Sequence, residues 1–432
     1  MILDIYNLKK DYAGLTAAGE ALLADPSLRN SDALKDVSSV LEKASFKKAQ
    51  DLEGSKKYLE SAKEFQAFSL KHPTSALKVS AEYNAGVNFE RAGEFMLALA
   101  MYSSVSKTKK KGSEKEVNNS LLLQANLFQK IGRYVDAART FEVYAKANPK
   151  DPKIADIYYN AATIWEALNN SSRAIDNYES YYRASRKTNR SESIFKIGLI
   201  YLDKKQYTSA INKFKEFIGQ VGVSKESSAE AHHLIANSYE KMNDDGKAMY
   251  WYRQIISKFS GVTGKSVRYY AEARLKVALQ DYNAYTALRF PKDPNQQASV
   301  LNRKLDLLNR LNKSFTEVVK LNSGPQIVSS LCWLGKSYEH FADSVEGAPK
   351  PKGLSADETK AYEEGIKQVT APKRQTAIDL YKQAYNKSIE LEFYNAETVY
   401  AYDALARNKQ SGFVSGRDYP FDEAKIDVGD LQ

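Results

Sequence analysis

The sequence predicts an all-α fold, a solenoid of stacked helical hairpins, on three observations. Small residues followed by aromatic ones recur at fixed offsets every 36 to 39 residues through much of the chain. Helix-length segments between them are separated by turns carrying Gly or Asn. Composition is ordinary globular, 43% hydrophobic and 27% charged, with 29 Tyr, 17 Phe and 3 Trp against only 11 Pro. A chain of 432 residues is either two or three compact domains or one extended repeat array, and the periodicity favours one continuous superhelix.

The repeat is anchored on Ala98, Ala137, Ala174, Ala210 and Ala248, followed four residues later by Tyr102, Phe141, Tyr178, Phe214 and Tyr252. Twelve residues before each Ala stands Gly86, Ala125, Ala162, Gly198 or Ala236, and three further on come Phe89, Phe128, Trp165, Tyr201 and Tyr239. On a helix, positions i, i+3 and i+4 share a face. A small residue lets a neighbouring helix approach, and the aromatic one turn away fills the space beside it. Two such helices, A and B, form a hairpin whose apolar face stays open until the next hairpin stacks on it. Ala92-Gly93-Glu94, Ile131-Gly132-Arg133, Asn169-Asn170 and Asn243-Asp244-Asp245-Gly246 supply the A-to-B turns, and Pro149 closes the unit containing Phe141.

These units resemble the tetratricopeptide repeat (TPR), whose pattern is large–x2–Leu–Gly/Ala–x2–Tyr in helix A and Ala–x3–Phe–x2–Ala in helix B, with a closing Pro. The match is closest in Leu121 to Pro149 and in Ile194 to Phe217, and a degenerate earlier unit reads Tyr58, Ser61, Phe65, Phe68 and Pro73. The chain departs from the family in its longer spacing and in Lys110, Arg186 and Ser260 where closing prolines would stand. The resemblance implies a right-handed α-solenoid.

The chain then divides as follows. Residues 1–40 form an N-terminal helical cap and 41–260 an array of about six units. Residues 261–325 hold long non-consensus helices, with Tyr269 to Leu288 and Gln296 to Leu321 as the two candidates. Residues 326–407 make a split unit, Leu331-x2-Leu334-Gly335-x2-Tyr338 as helix A and Ala377-x3-Tyr381-x2-Ala384 as helix B, plus a capping helix from Asn395. The split is filled by an insertion, 343–371, in which Ser355 and Glu358 form a capping box for a short helix to about Gln368. Residues 408–432 read as an irregular acidic tail.

Net charge is +10 from 63 Lys and Arg against 53 Asp and Glu, a mild excess for this length. The one dense cluster, Lys107, Lys109, Lys110, Lys111 and Lys115, reads as a solvated loop between helices. One Cys excludes an internal disulfide and any multi-cysteine metal site; Cys332, beside Trp333, is expected to be a buried small hydrophobe. Of the 4 His, the adjacent pair His232-His233 points in directions about 100° apart on a helix and cannot chelate jointly. There is no GxGxxG and no GxxxxGKS/T. No apolar run approaches the roughly 18 residues of a membrane span, and Met1 to Tyr6 lacks a signal peptide's basic and apolar regions. The expectation is a non-enzyme with no cofactor and no metal. Its route to a membrane would be through a partner or a preceding anchor.

The resemblance also implies a binding surface, because helix A residues beside the core line the concave groove of TPR proteins. Carried over by position, these are Tyr83, Val87, Leu122, Asn126, Tyr159, Thr163, Phe195, Leu199, His233 and Asn237. The clamp with which some TPR modules hold the carboxylate end of chaperones is matched only by Asn126 and Asn160. Leu122, Glu192 and Lys196 replace its other residues, and a Glu there repels a carboxylate. Glu90, Glu166, Glu192 and Glu240 on the inner face oppose nucleic-acid binding, which needs a basic stripe.

The implied function is a scaffold that binds a protein or peptide partner. Low closing-proline content, long spacing and the helical C-terminal part are similar to bacterial cell-envelope TPR proteins, implying a periplasmic or outer-membrane-associated place in assembly, division or gliding machinery. The alternative is a cytoplasmic adaptor for a small GTPase or polarity protein of a motility system.

Overall fold

The computed structural model describes residues 2–28, 31, 33–185 and 190–414. Arg186 and all but the first residues of the expected acidic tail lie outside them. The described residues are helical, without strands, and fall into two compact units, Met1–Ile200 and Tyr201–Gln432.

The first unit contains α1 (Ile2–Leu8), α2 (Tyr12–Ala24), α3 (Ala33–Gly54), α4 (Tyr58–Lys71), α5 (Lys78–Arg91), α6 (Phe95–Ser106), α7 (Glu114–Lys130), α8 (Tyr134–Ala147), α9 (Ile154–Ala167), α10 (Ser171–Ala184) and most of α11 (Ser191–Asp203). From α1 to α10 each helix packs on the next. Helices α5 to α10 are the A and B members of three hairpins, as the offsets predict. The degenerate unit is also a hairpin: Ser61 of α4 is buried and donates to the carbonyl of Ala49 in α3 at 2.8 Å. Ala49 stands twelve residues before Ser61, as in the five regular units that follow. The loop after α6 holds most of the lysine cluster, and Lys110 donates to the Ser75 carbonyl at 3.0 Å.

The A-to-B turns share one geometry. Five residues before the small helix B residue, Lys56, Gly93, Gly132, Asn169, Lys205 and Asn243 all have positive φ, between 57° and 84°. The next amide then reaches back to a helix A carbonyl, as in Glu94 N to Phe89 O at 2.9 Å and Arg133 N to Phe128 O at 2.8 Å. This satisfies carbonyls that the helix end would leave orphaned. The four turns read from Gly and Asn are as expected; those at Lys56 and Lys205 give no such signal.

The second unit continues with α12 (Tyr207–Ile218), α13 (Lys225–Lys241), α14 (Asp245–Lys258), α15 (Val267–Ala287), α16 (Pro294–Lys320), α17 (Gly324–Glu346), α18 (Ala356–Glu390) and α19 (Ala396–Arg407). Helices α15 to α19 close over one core that includes Tyr285, Phe315, Phe341, Tyr381 and Leu405, all 0% exposed. Cys332 is in this core, its thiol pushed up to about 12 by burial.

One expectation is corrected here. Ser355 and Glu358 do form the capping box, but the helix they start does not stop near Gln368. It runs on through Pro372 as the 35-residue α18, which includes the expected helix B from Ala377. A proline removes one helical hydrogen bond and crowds the preceding turn, and here packing outweighs that cost. Arg374 binds Glu346 and Asp343 of α17 at 2.5 and 2.7 Å, and Thr370 is buried just before the proline. Most of residues 343–371 therefore extend α17 and α18.

Candidate protein-binding surface

The hairpin of α5 and α6 brings its helix A small residue against its helix B aromatic. A Cβ added to Gly86 would lie 2.7 Å from Cε1 of Tyr102. The polar end of the buried ring is then satisfied on helix A. Tyr102 donates to Glu90 at 2.8 Å and Tyr178 to Glu166 at 2.5 Å. Both Glu lie four residues after the small residue, so each carboxylate sits one turn beyond the gap that admits the ring. Tyr252 follows a variant of the scheme, donating to Asn237 Oδ1 at 3.1 Å near Glu240. Burial raises the pKa of each of these phenols. Where helix B carries Phe141 or Phe214, the corresponding helix A residue is Gln129 or Leu202. Carboxylates thus accompany hydroxyls, and three of the inner-face Glu are explained by core Tyr.

The predicted binding residues fall into three environments. Asn126 is exposed, as is Asn160 of the partial clamp. Tyr83, Val87, Leu122, Tyr159, Thr163, Phe195, Leu199 and Asn237 are half-buried. His233 is buried, 7% exposed, and belongs to the helix packing. Its ring tilts against Tyr269 at 4.8 Å, and its Nε2 lies 3.0 Å from Asn237 Nδ2. Desolvation, with Arg268 and Lys276 nearby, lowers its pKa to about 4. Neighbouring His232 is also buried, edge-on to Trp251 and Phe259. Asn237, holding both Tyr252 and His233, is committed to structure.

In the first unit the structure brings Tyr159 of α9 to Glu192 of α11 at 2.6 Å, and that carboxylate is the leading cause raising the Tyr159 pKa to about 12. The Tyr159 ring also packs edge-on to Tyr178 at 5.9 Å and tilted to Tyr181 at 5.3 Å. Lys196 pairs with Glu166 at 3.5 Å. Two residues at failed clamp positions, Glu192 and Lys196, are therefore tied into contacts between successive A helices. The sequence offsets missed Glu142, which joins three helices by accepting from Trp165 at 2.7 Å, Asn177 at 2.8 Å and Arg173 at 3.1 Å. It lies on helix B, outside the pattern used to select inner-face residues.

Residues 122–187 match the family model described as tetratricopeptide repeat. Within that segment the chain carries tetratricopeptide repeats. The matched TPR segment covers most of α7 through α10, and the flanking units repeat its offsets.

Solved structures similar to this chain include the C-terminal part of a TPR repeat-containing protein from Cytophaga hutchinsonii, at 16% identity, covering 65% of this chain and 98% of that one with a TM-score of 0.36. A TPR protein from Parabacteroides merdae is 14% identical over 69% of this chain and 98% of its own, with a TM-score of 0.30. YrrB, described as a TPR protein with an unusual peptide-binding site, is 16% identical over 46% of this chain and 94% of its own, also at 0.30. No curated protein matches the sequence. Among the described residues, no group of three or more His, Cys, Asp or Glu could hold a metal ion, and no helix is long and apolar enough to cross a membrane.

Proposed function

We propose that this chain is a non-catalytic scaffold that binds a protein or peptide through the helix A face of its TPR units. The observation that carries the reading is the composition of that face within the matched segment. Exposed amides of Asn126 and Asn160 stand beside half-buried Leu122, Tyr159 and Thr163. Amides supply donors and acceptors to a peptide backbone without demanding a charged partner, and aromatic edges supply contact area at low entropic cost. Glu192 in place of a clamp lysine selects against a terminal carboxylate.

The site of action we propose is a bacterial cell-envelope complex serving assembly, division or gliding, with a cytoplasmic adaptor for a motility GTPase as the alternative. The test is a photo-crosslinking amino acid placed at Asn126 or Asn160 in the native cell, with Val143, exposed on α8, as control. A specific adduct from the two Asn positions and none from Val143 supports the groove, and the adduct's identity separates an envelope protein from a cytoplasmic one. Equal labelling at all three positions rejects it.

A further inference from the structure

Lys304 of α16 is 0% exposed, among the helices that close the second unit. Its Nζ lies 3.5 Å from the Tyr285 carbonyl in the last turn of α15 and 3.4 Å from Ser344 Oγ of α17. His340 Nε2, also of α17, is 3.3 Å away. The Tyr285 ring covers another side, its centroid 4.7 Å from Nζ. Among the described residues no carboxylate comes within ion-pair distance of Lys304. Buried charges are ordinarily paired. Here a helix C-terminus and one imidazole stand where a counter-ion would be.

The arrangement dictates the state of the ring. Lys304 donates to His340 Nε2, and Ser344 Oγ lies 3.1 Å from the same nitrogen. The imidazole is therefore neutral, with its proton on Nδ1. The surrounding charges oppose a second proton. Arg289, just past the end of α15, acts on both Lys304 and His340. Asp343 is the acid facing His340, but Arg374 of α18 holds it at 2.7 Å. Tyr285 stays a neutral phenol, its pKa raised by burial and its hydroxyl donating to the Ser337 carbonyl at 3.1 Å.

We propose that Lys304 and His340 form an acid-released latch that holds α16 on α17. At neutral pH the ammonium donates to the neutral ring and ties the two helices together. A proton on His340 removes the acceptor and sets two cations 3.3 Å apart in the core. Helix α16 then opens locally from its neighbours while the preceding repeats stay folded. Burial, Lys304 and Arg289 lower the His340 pKa from 6.5 to about 4. The latch is thus complete above pH 6.5 and is lost as pH falls through about 4. Lys304 is lowered by burial and Arg289 to about 8, so it carries its charge throughout that window.

Hydrogen exchange of the full chain at pH 7.5 and 4.5, read by mass spectrometry and corrected for intrinsic rates, tests the latch. The reference is α12, which lies in the same unit and carries no His. In the wild type, exchange in α16 and α17 should rise about tenfold or more at pH 4.5 relative to α12. His340→Gln should cut that rise to about twofold, and Lys304→Met should at least halve it. Melting temperatures at pH 7.5 check that both variants fold. A response in α16 and α17 no larger than in α12, or an unchanged response in either folded variant, overturns the proposal.

Discussion

A Cβ added to Gly335 of α17 would lie 2.6 Å from Cε1 of Tyr381 in α18, the same approach that Gly86 makes to Tyr102. In the regular unit these two residues are 16 apart in sequence; here they are 46 apart. Tyr381 then donates to Glu339, four residues after Gly335, at 2.5 Å, as Tyr102 does to Glu90. The split unit therefore preserves the small–aromatic–carboxylate geometry despite thirty extra residues. Gly335→Ala should lower stability by about 1–3 kcal/mol through overpacking, read from the urea midpoint. An unchanged midpoint would reject the close packing.

The Tyr–Glu pairing predicts a second asymmetry. Tyr381→Phe removes a hydroxyl that is buried against Glu339, which also accepts from Tyr400 at 2.9 Å. The expected loss is about 1–2 kcal/mol. In an otherwise wild-type chain, Phe141→Tyr should also destabilise, because Gln129 replaces the carboxylate in that unit. A gain in stability from Phe141→Tyr would contradict the scheme.

Lys205 holds φ at 57° in a turn where four of the other units use Gly or Asn. The left-handed region costs a residue with a Cβ about 1 kcal/mol. Lys205→Gly should recover part of that, offset by greater freedom in the unfolded chain. A raised thermal midpoint is the expected reading, and Gly132→Lys should move it the other way.

His233 gives a pH dependence of defined sign. Its folded pKa of about 4 lies below the ordinary 6.5. The neutral ring's contribution is present above pH 6.5 and is lost as pH falls through about 4. Glu272, 3.9 Å away, and the cations Arg268 and Lys276 face the same ring. His233→Gln should flatten the difference in unfolding midpoint between pH 7.5 and 4.5 relative to wild type. An identical pH profile would remove His233 from the account.

For partner binding, the informative substitutions avoid the packed aromatics. Tyr159 supports Tyr178 and Tyr181, so Tyr159→Ala confounds binding with stability. Asn126→Ala combined with Asn160→Ala changes exposed amides and should leave the melting temperature nearly unchanged. It should weaken a crosslink-identified partner about tenfold, measured by calorimetry. Undiminished affinity would move the partner off this face.

The fold was legible where local chemistry repeats. Offsets between Ala or Gly and an aromatic depend on helical periodicity alone, so hairpins from α5 onward could be placed without tertiary information. Legibility failed at Lys56 and Lys205, because a left-handed lysine is imposed by the hairpin and carries no turn signal. It failed again at Pro372, where contacts to α17 keep a helix intact through its breaker.

The candidate site was legible only as a choice of face. Sequence by itself determined an all-α repeat chain, its helix A and helix B positions, and the absence of the phosphate-loop and multi-cysteine motifs sought, because these follow from residue type and spacing. Tertiary structure decided which inner-face residues reach solvent. Asn126 reaches solvent, whereas Asn237, at the equivalent position, is taken up by Tyr252; Tyr159 is half-buried, whereas its equivalent His233 is buried against Tyr269. Equivalent positions diverge because exposure depends on the side chains of the neighbouring helix, which no spacing within one repeat encodes.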